Sequence, residues 1–175
     1  MQVYGEERLA KKIARAIVEA RYQNIFMRTS KDLSTLVADV CGFDHRLDKM
    51  QRHAHVATKV FQALRILVNN ELNEINYGML LAQHYLKKGG RLVTLTFHSL
   101  EDKVVKRHLL GNVTEFMANT VAPRFEDTEA PPDTCWKQLH KHVMVPPEEE
   151  IWVNPRSRSA KMRVAEKVKM YGTPN

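Results

Sequence analysis

Two short groups of side chains in this sequence have the types and spacing to act on a ligand: Phe97-His98-Ser99, and Arg156, Arg158 and Lys161. His98 can accept a proton or hydrogen-bond a ligand by its edge. Arg156 and Arg158 carry guanidinium forks that match phosphate oxygens, and Lys161 adds a point charge nearby. Each group also has a purely structural reading. Ser99 with Asp102 three positions later fits a capping box, His98 then only fixing the turn, and the cations can form a solvated basic turn.

The first group takes its place from what surrounds it. Gly89 follows Lys87 and Lys88, the pattern of a helix that stops at a glycine with cations near its negative pole. Leu92 to Phe97 is an apolar, β-branched run, right for a central strand covered on both faces. Ser99-Leu100-Glu101-Asp102 then opens a helix carrying Val104, Val105 and Leu109. His98 and Ser99 therefore fall at the carboxyl end of a strand, the edge where ligands bind in open α/β sheets. The second group falls in the turn Asn154 to Ser159 and the start of a last strand, Ala160 to Val168. That strand puts Met162, Val164 and Val168 on one face, with Lys161, Arg163 and Lys167 roughly opposite.

Upstream the periodicity is helical. Glu6 to Tyr22 reads as an amphipathic helix with Leu9, Ile13, Ala16, Ile17 and Ala20 on its apolar stripe. Lys11, Lys12, Arg15 and Arg21 lie mainly off that stripe, as an edge facing a polyanion or a solvated face. Thr29 with Asp32 is another capping box, opening a helix with Leu33, Leu36, Val37 and Val40 inward and Gly42 as its stop. Val56 to Leu86 is helical with a break at Asn69-Asn70. Asn112 to Cys135 holds Pro123, Pro131 and Pro132 and reads as a long loop, its end pinned by Trp136. His140 to Val145 reads as a strand stopped by Pro146-Pro147, with His140 and His142 on one face. Glu148-Glu149-Glu150 starts a short helical turn with acids at its favourable pole. Strands connected by helices make α/β the expected fold class.

The 175 residues suffice for a domain with an ordinary core, and 43% hydrophobic against 27% charged is not a disordered composition. The net charge of +7 and a pI near 9.5 favour a polyanionic partner, nucleic acid before anionic membrane. Cys41 and Cys135 are too few and too far apart in sequence for a disulfide framework, which points to a reducing compartment. Cys41, His45, His53 and His55 match no zinc spacing, and Cys135, His140 and His142 lack a fourth ligand, so no metal is expected. No apolar run reaches membrane-spanning length, and Met1 to Gly5 is neither a signal nor a transit peptide.

Four stretches carry a resemblance: Tyr4 to Val18 (YGEERLAKKIARAIV), Phe61 to Leu72 (FQALRILVNNEL), Gly89 to Arg107 (GGRLVTLTFHSLEDKVVKR) and Asn154 to Glu166 (NPRSRSAKMRVAE). In this order they resemble the RsmH/MraW family of S-adenosylmethionine-dependent methyltransferases, which act on N4 of a cytidine in small-subunit ribosomal RNA. Within it the eukaryotic mitochondrial branch is the most similar. The resemblance implies that residues 71–175 are the carboxyl-terminal part of a Rossmann-like class I methyltransferase sheet, with a flexible loop around 112–135. It implies that residues 1–70 are an all-helical insertion that recognises substrate. It also implies S-adenosylmethionine as cofactor, small-subunit ribosomal RNA as partner and the mitochondrial matrix as location, with the cytoplasm as alternative.

In that family Phe97, His98 and Ser99 would lie in the active-site vicinity, and Arg156, Arg158 and Lys161 would contact RNA. Methyl transfer to an exocyclic amine is an in-line displacement, so the protein must align amine, methyl and sulfur and hold the base unpaired. The family's glycine-rich donor loop has no counterpart here, since Gly89-Gly90 precedes a strand instead of opening a helix; no cofactor-binding residue is assigned. The chain alone is therefore expected to bind the methyl donor weakly or not at all. Its three expected strands, 91–97, 141–145 and 160–168, would leave a sheet edge open and an apolar face incompletely covered. The alternative function is a catalytically inactive derivative that keeps a basic RNA- or protein-binding surface. A generic basic nucleic-acid module is opposed by the four ordered motifs.

Overall fold

The computed structural model describes residues 1–5, 7–42, 46–47, 53–111 and 134–169. Two compact units follow one another along the chain, Met1–Asn70 and Glu71–Asn175.

In the first unit a short helix, α1 (Gln2–Gly5), precedes α2 (Ala10–Tyr22) and α3 (Ser30–Cys41). The expected helix from Glu6 starts later, at Ala10, because the Glu7 carboxylate takes the N–H of Leu9 at 2.9 Å and turns the chain there. Ile13 and Ala20 of the predicted stripe are buried. The Thr29–Asp32 capping box opens α3: the Thr29 hydroxyl accepts from the Asp32 N–H at 3.2 Å, and the Asp32 carboxylate accepts from the Thr29 N–H at 2.8 Å. Gly42, with φ of 72°, ends α3 as anticipated. A two-residue antiparallel pair, β1 (Arg46–Leu47) with β2 (His53–Ala54), leads to α4 (Thr58–Val68). Ile13, Val37, Val56, Ala57 and Val60 form the buried core. Gly5 is required by close approach: a Cβ there would sit 2.3 Å from the Lys59 carbonyl oxygen of α4.

Asn69-Asn70 does break the helical run. Asn70 has φ of 54°, and α5 (Glu71–Tyr85) starts immediately after it. The second unit continues with β3 (Arg91–Thr96), α6 (Ser99–Leu109), β4 (Trp136–Gln138), α7 (Glu148–Val153), a 3-10 turn (Ser157–Ser159) and β5 (Lys161–Lys167). This is a mixed helix-and-sheet unit with an antiparallel sheet ordered β3-β5-β4. α5 and α6 cover one face, where Met79, Val105, Leu109, Trp136 and Ala165 are buried together.

Two expectations need correction. β3 is an edge strand of the described sheet, not a central one, and its faces alternate: Val93 and Leu95 are each 58% exposed. An apolar run announces burial on two faces, but the described residues cover only one. The strand expected over His140–Val145 lies earlier, at Trp136–Gln138; residues 139–142 are bends, and only Met144 bridges to Met162. Burying the Trp136 ring selects that register, and His140 and His142 are then exposed bend residues, not neighbours on a strand face. The expected division of faces on β5 holds, and the covered face is the one with Arg163, Ala165 and Lys167, while Met162 and Val164 lie on the opposite side. Of the expected loop, residues 112–133 lie outside the described residues, as does His45.

Candidate active-site edge and its basic turn

At the carboxyl end of β3 the chain leaves the sheet and enters α6 within two residues. The residue that caps α6 is His98, not Ser99 as the pattern suggested. His98 Nδ1 accepts from the Leu100 N–H at 3.2 Å, and the Glu101 carboxylate accepts from the N–H groups of His98 and Phe97 at 3.1 and 2.9 Å. The reciprocal box is thus shifted back by one position, with Glu101 in the role assigned to Asp102. This has a chemical consequence. With Nδ1 accepting, the neutral imidazole carries its proton on Nε2 and presents a donor, not a proton acceptor.

Asp102 is released from capping and turns inward. It forms a two-pronged ion pair with Arg163, 2.6 Å to Nε and 3.0 Å to Nη2, both side chains nearly buried. The sequence pattern offered Asp102 only as a capping acid and Arg163 only as one cation of the last strand, and did not pair them. Glu101 and Asp102 are adjacent acids in a first turn, and a helix rotates them about 100° apart, so one caps while the other faces the sheet. The pair ties α6 to β5 directly behind the strand end.

Pairing β3 with β5 places Thr96 opposite Lys161, and the Thr96 hydroxyl donates to the Lys161 carbonyl at 3.4 Å. The two sequence-predicted groups therefore converge: Phe97-His98-Ser99 leaves β3 at the same sheet edge at which the Arg156–Arg158 turn enters β5. Phe97 is 52% exposed; Arg156 and Arg158 are exposed and Lys161 partly so. The turn itself is built. Asn154 Oδ1 accepts from the Arg156 N–H, and the buried Ser157 hydroxyl donates to the Asn154 carbonyl at 2.8 Å. Sequence order alone, with 55 or more residues between the groups, did not bring them together; the strand register did.

Gly89 and Gly90 make no ligand cradle. Gly89 (φ 83°) gives its N–H to the Lys167 carbonyl at 2.7 Å, and the Gly90 carbonyl accepts from the Lys167 N–H at 2.8 Å. Both groups are spent on the sheet, so these residues do not fit the phosphate- or nucleoside-binding turn of a dinucleotide-type fold. Among the described residues no cluster of His, Cys, Asp or Glu has metal-binding geometry.

A sequence model of the MraW methylase family matches residues 1–168. The chain belongs to the MraW methylase family. Among similar proteins, the "Probable methyltransferase-like protein 15 homolog" of Drosophila melanogaster is 51% identical over 95% of this chain and 49% of its own length. The human "12S rRNA N(4)-cytidine methyltransferase METTL15" is 45% identical over 96% of this chain and 46% of its own length. A Culex quinquefasciatus protein named "Putative receptor-type tyrosine-protein phosphatase mosPTP-1" is 54% identical over 96% of this chain, which is 12% of that protein. This MraW-family chain thus spans about half the length of its methyltransferase relatives. No helix among its described residues is long and apolar enough to cross a membrane.

Proposed function

We propose that this chain takes part in the S-adenosylmethionine-dependent methylation of N4 of a cytidine in small-subunit ribosomal RNA, within the mitochondrial matrix. Residues 1–70 act as the helical substrate-recognition insertion, and residues 71–175 as part of a Rossmann-like methyltransferase core. Family membership over residues 1–168 and the printed names of the relatives support the reaction and the RNA class. The observation that carries the role of this chain is the convergence, through the Thr96–Lys161 pairing, of Phe97-His98-Ser99 with the basic turn.

The roles follow from the chemistry of these groups. The half-exposed Phe97 ring stacks on the unpaired base. His98 lies at the base edge, and Ser99 stands next to it at the helix start. Arg156, Arg158 and Lys161 hold the backbone phosphates. Since the glycines at hand do not fit the methyl donor, the part assigned to this chain is holding the cytosine and its RNA.

A second reading, an inactive derivative that keeps the RNA surface, is favoured by the same spent glycines. Calorimetric titration of the folded chain with S-adenosylmethionine, followed by a methylation assay on small-subunit RNA, separates the two. Methyl incorporation by the chain overturns the inactive reading; RNA binding without donor binding supports it. His98 is tested by His98→Asn, which keeps a helix cap and removes the imidazole. Weakened cytidine-RNA binding with thermal stability preserved is the expected result. Unchanged RNA binding in that variant, with stability lost only in His98→Ala by about 1 kcal/mol, reduces His98 to a cap.

A further inference from the structure

The first unit concentrates the charge of the molecule. From Arg8 to Lys31 the chain holds Arg8, Lys11, Lys12, Arg15, Arg21, Arg28 and Lys31 against one acid, Glu19. On α2, Lys11, Arg15, Val18 and Tyr22 are spaced four, three and four apart, so they form one stripe, and all four are exposed. The buried stripe of Ile13 and Ala20 lies elsewhere on the same helix. Two large aromatics sit at the end of this cationic row. Tyr22 is 84% and Phe26 72% exposed, with Ile25 at 55% between them.

These aromatics stand on a fixed scaffold. Asn24, at φ of 56°, closes α2 with a Schellman pattern: the Ile25 N–H reaches the Ala20 carbonyl at 2.9 Å and the Asn24 N–H the Arg21 carbonyl at 3.1 Å. The far end of the segment is held by the Asp32 carboxylate, which takes the N–H groups of Arg28 and Thr29 at 3.0 and 2.8 Å. The Arg28 guanidinium lies over the Phe26 ring, 5.9 Å from its centroid. Lys12 is used structurally, its ammonium donating to the Val40 carbonyl at 2.9 Å at the end of α3. Lys11 and Arg15 lie on the same helical stripe as Tyr22, and Arg21 precedes it directly.

Exposed aromatic faces beside a row of cations are what a flexible polyanion with planar bases requires: phosphates follow the charges while bases stack on the rings. We infer that the Tyr22–Phe26 segment, with Lys11, Arg15, Arg21 and Arg28, is a stacking platform for single-stranded RNA. The inference rests on the RNA reading proposed above and gives the first unit a specific part in it. It reads the strand by base faces and backbone, so it takes single-stranded RNA with little sequence preference.

The test is fluorescence anisotropy of the full chain with a short, labelled, unstructured pyrimidine RNA across a range of salt concentrations. Tyr22→Ala/Phe26→Ala is expected to weaken binding about tenfold or more, with an unchanged dependence on salt. Lys11→Ala/Arg15→Ala is expected to lower the salt slope. Tyr22→Phe/Phe26→Tyr should bind as the parent does. All of these positions are solvent-exposed, and circular dichroism verifies that each variant folds. A Tyr22→Ala/Phe26→Ala chain that binds RNA like the parent overturns the platform, even if the methylase reading stands. So does a parent chain that binds no RNA, or a double variant that loses binding only to anionic phosphatidylserine vesicles. RNA binding that depends on both rings supports the platform even in a chain without methylation activity.

Discussion

His108 shows how one side chain reports on the fold around it. It is 3% exposed, its Nε2 lies 2.7 Å from the Asn76 amide oxygen, and its Nδ1 has no partner among the described residues. Asn76 is an acceptor there, so the ring donates from Nε2 and stays neutral. Burial lowers its pKa from 6.5 to about 4. Because the folded value lies below the unfolded one, the unfolded chain binds the extra proton first as pH falls. The stability contribution of His108 is complete above about 6.5 and is lost progressively towards pH 4, at most about 1.4 kcal/mol per pH unit. His108→Gln keeps a donor towards Asn76 and does not titrate. Chemical denaturation between pH 4 and 7 is expected to show a shallower pH slope for this variant than for the parent; equal slopes would remove His108 from the account.

Single lysines act at the scale of elements. Lys167 was read from the pattern as one of the cations facing away from the apolar side, yet it is fully buried. Its ammonium donates to the Gln83 carbonyl and, at 2.7 Å, to the Leu86 carbonyl, both at the carboxyl end of α5. It thereby satisfies carbonyls that no later turn of α5 reaches, at the negative pole of that helix, and fastens α5 to the central strand β5. Lys167→Met keeps much of the stem but removes the donors. A loss of about 2–4 kcal/mol in urea unfolding is expected, since two partly buried carbonyls lose their charged donor. Asp102 and Arg163 do the same for α6 and β5. The helix boundaries were legible because caps are local: Thr29 with Asp32, Gly42, and Asn69-Asn70 each act within a few residues. The identity of the α6 cap was not, because Ser99 and His98 both offer an acceptor and only the turn's geometry chooses between them.

At the scale of the whole molecule, the described residues of the second unit cover its sheet on one side only. Leu95, Met162 and Met144 lie in register across three chain segments, with Val93 and Val164 in the neighbouring row. Val93, Leu95 and Met144 are exposed, and Met162 and Val164 partly exposed. The sequence reading anticipated an incompletely covered apolar face from the small number of strands. A direct comparison measures it. Leu95→Thr on the open face is expected to change the chain's stability by no more than about 0.5 kcal/mol. Leu92→Thr, on the opposite face of β3 and packed on the core of Met79, Trp136 and Ala165, is expected to cost about 2 kcal/mol or more. Equal losses at both positions would mean that the Leu95 face is covered in solution.

The sequence by itself determined the elements with local signals, the family carried by four ordered motifs, and the residue types of the candidate site. Capping, helical periodicity and a strand's alternation all act over a few residues, so they can be read without coordinates. Tertiary structure alone decided which strands pair, which face of β5 is buried, which acid caps α6, and that Phe97-His98-Ser99 meets the basic turn. Those outcomes depend on contacts between residues far apart in the chain. Trp136 selects a register against β5, and the Asp102–Arg163 pair and Lys167 satisfy buried charge and carbonyls that no local pattern exposes.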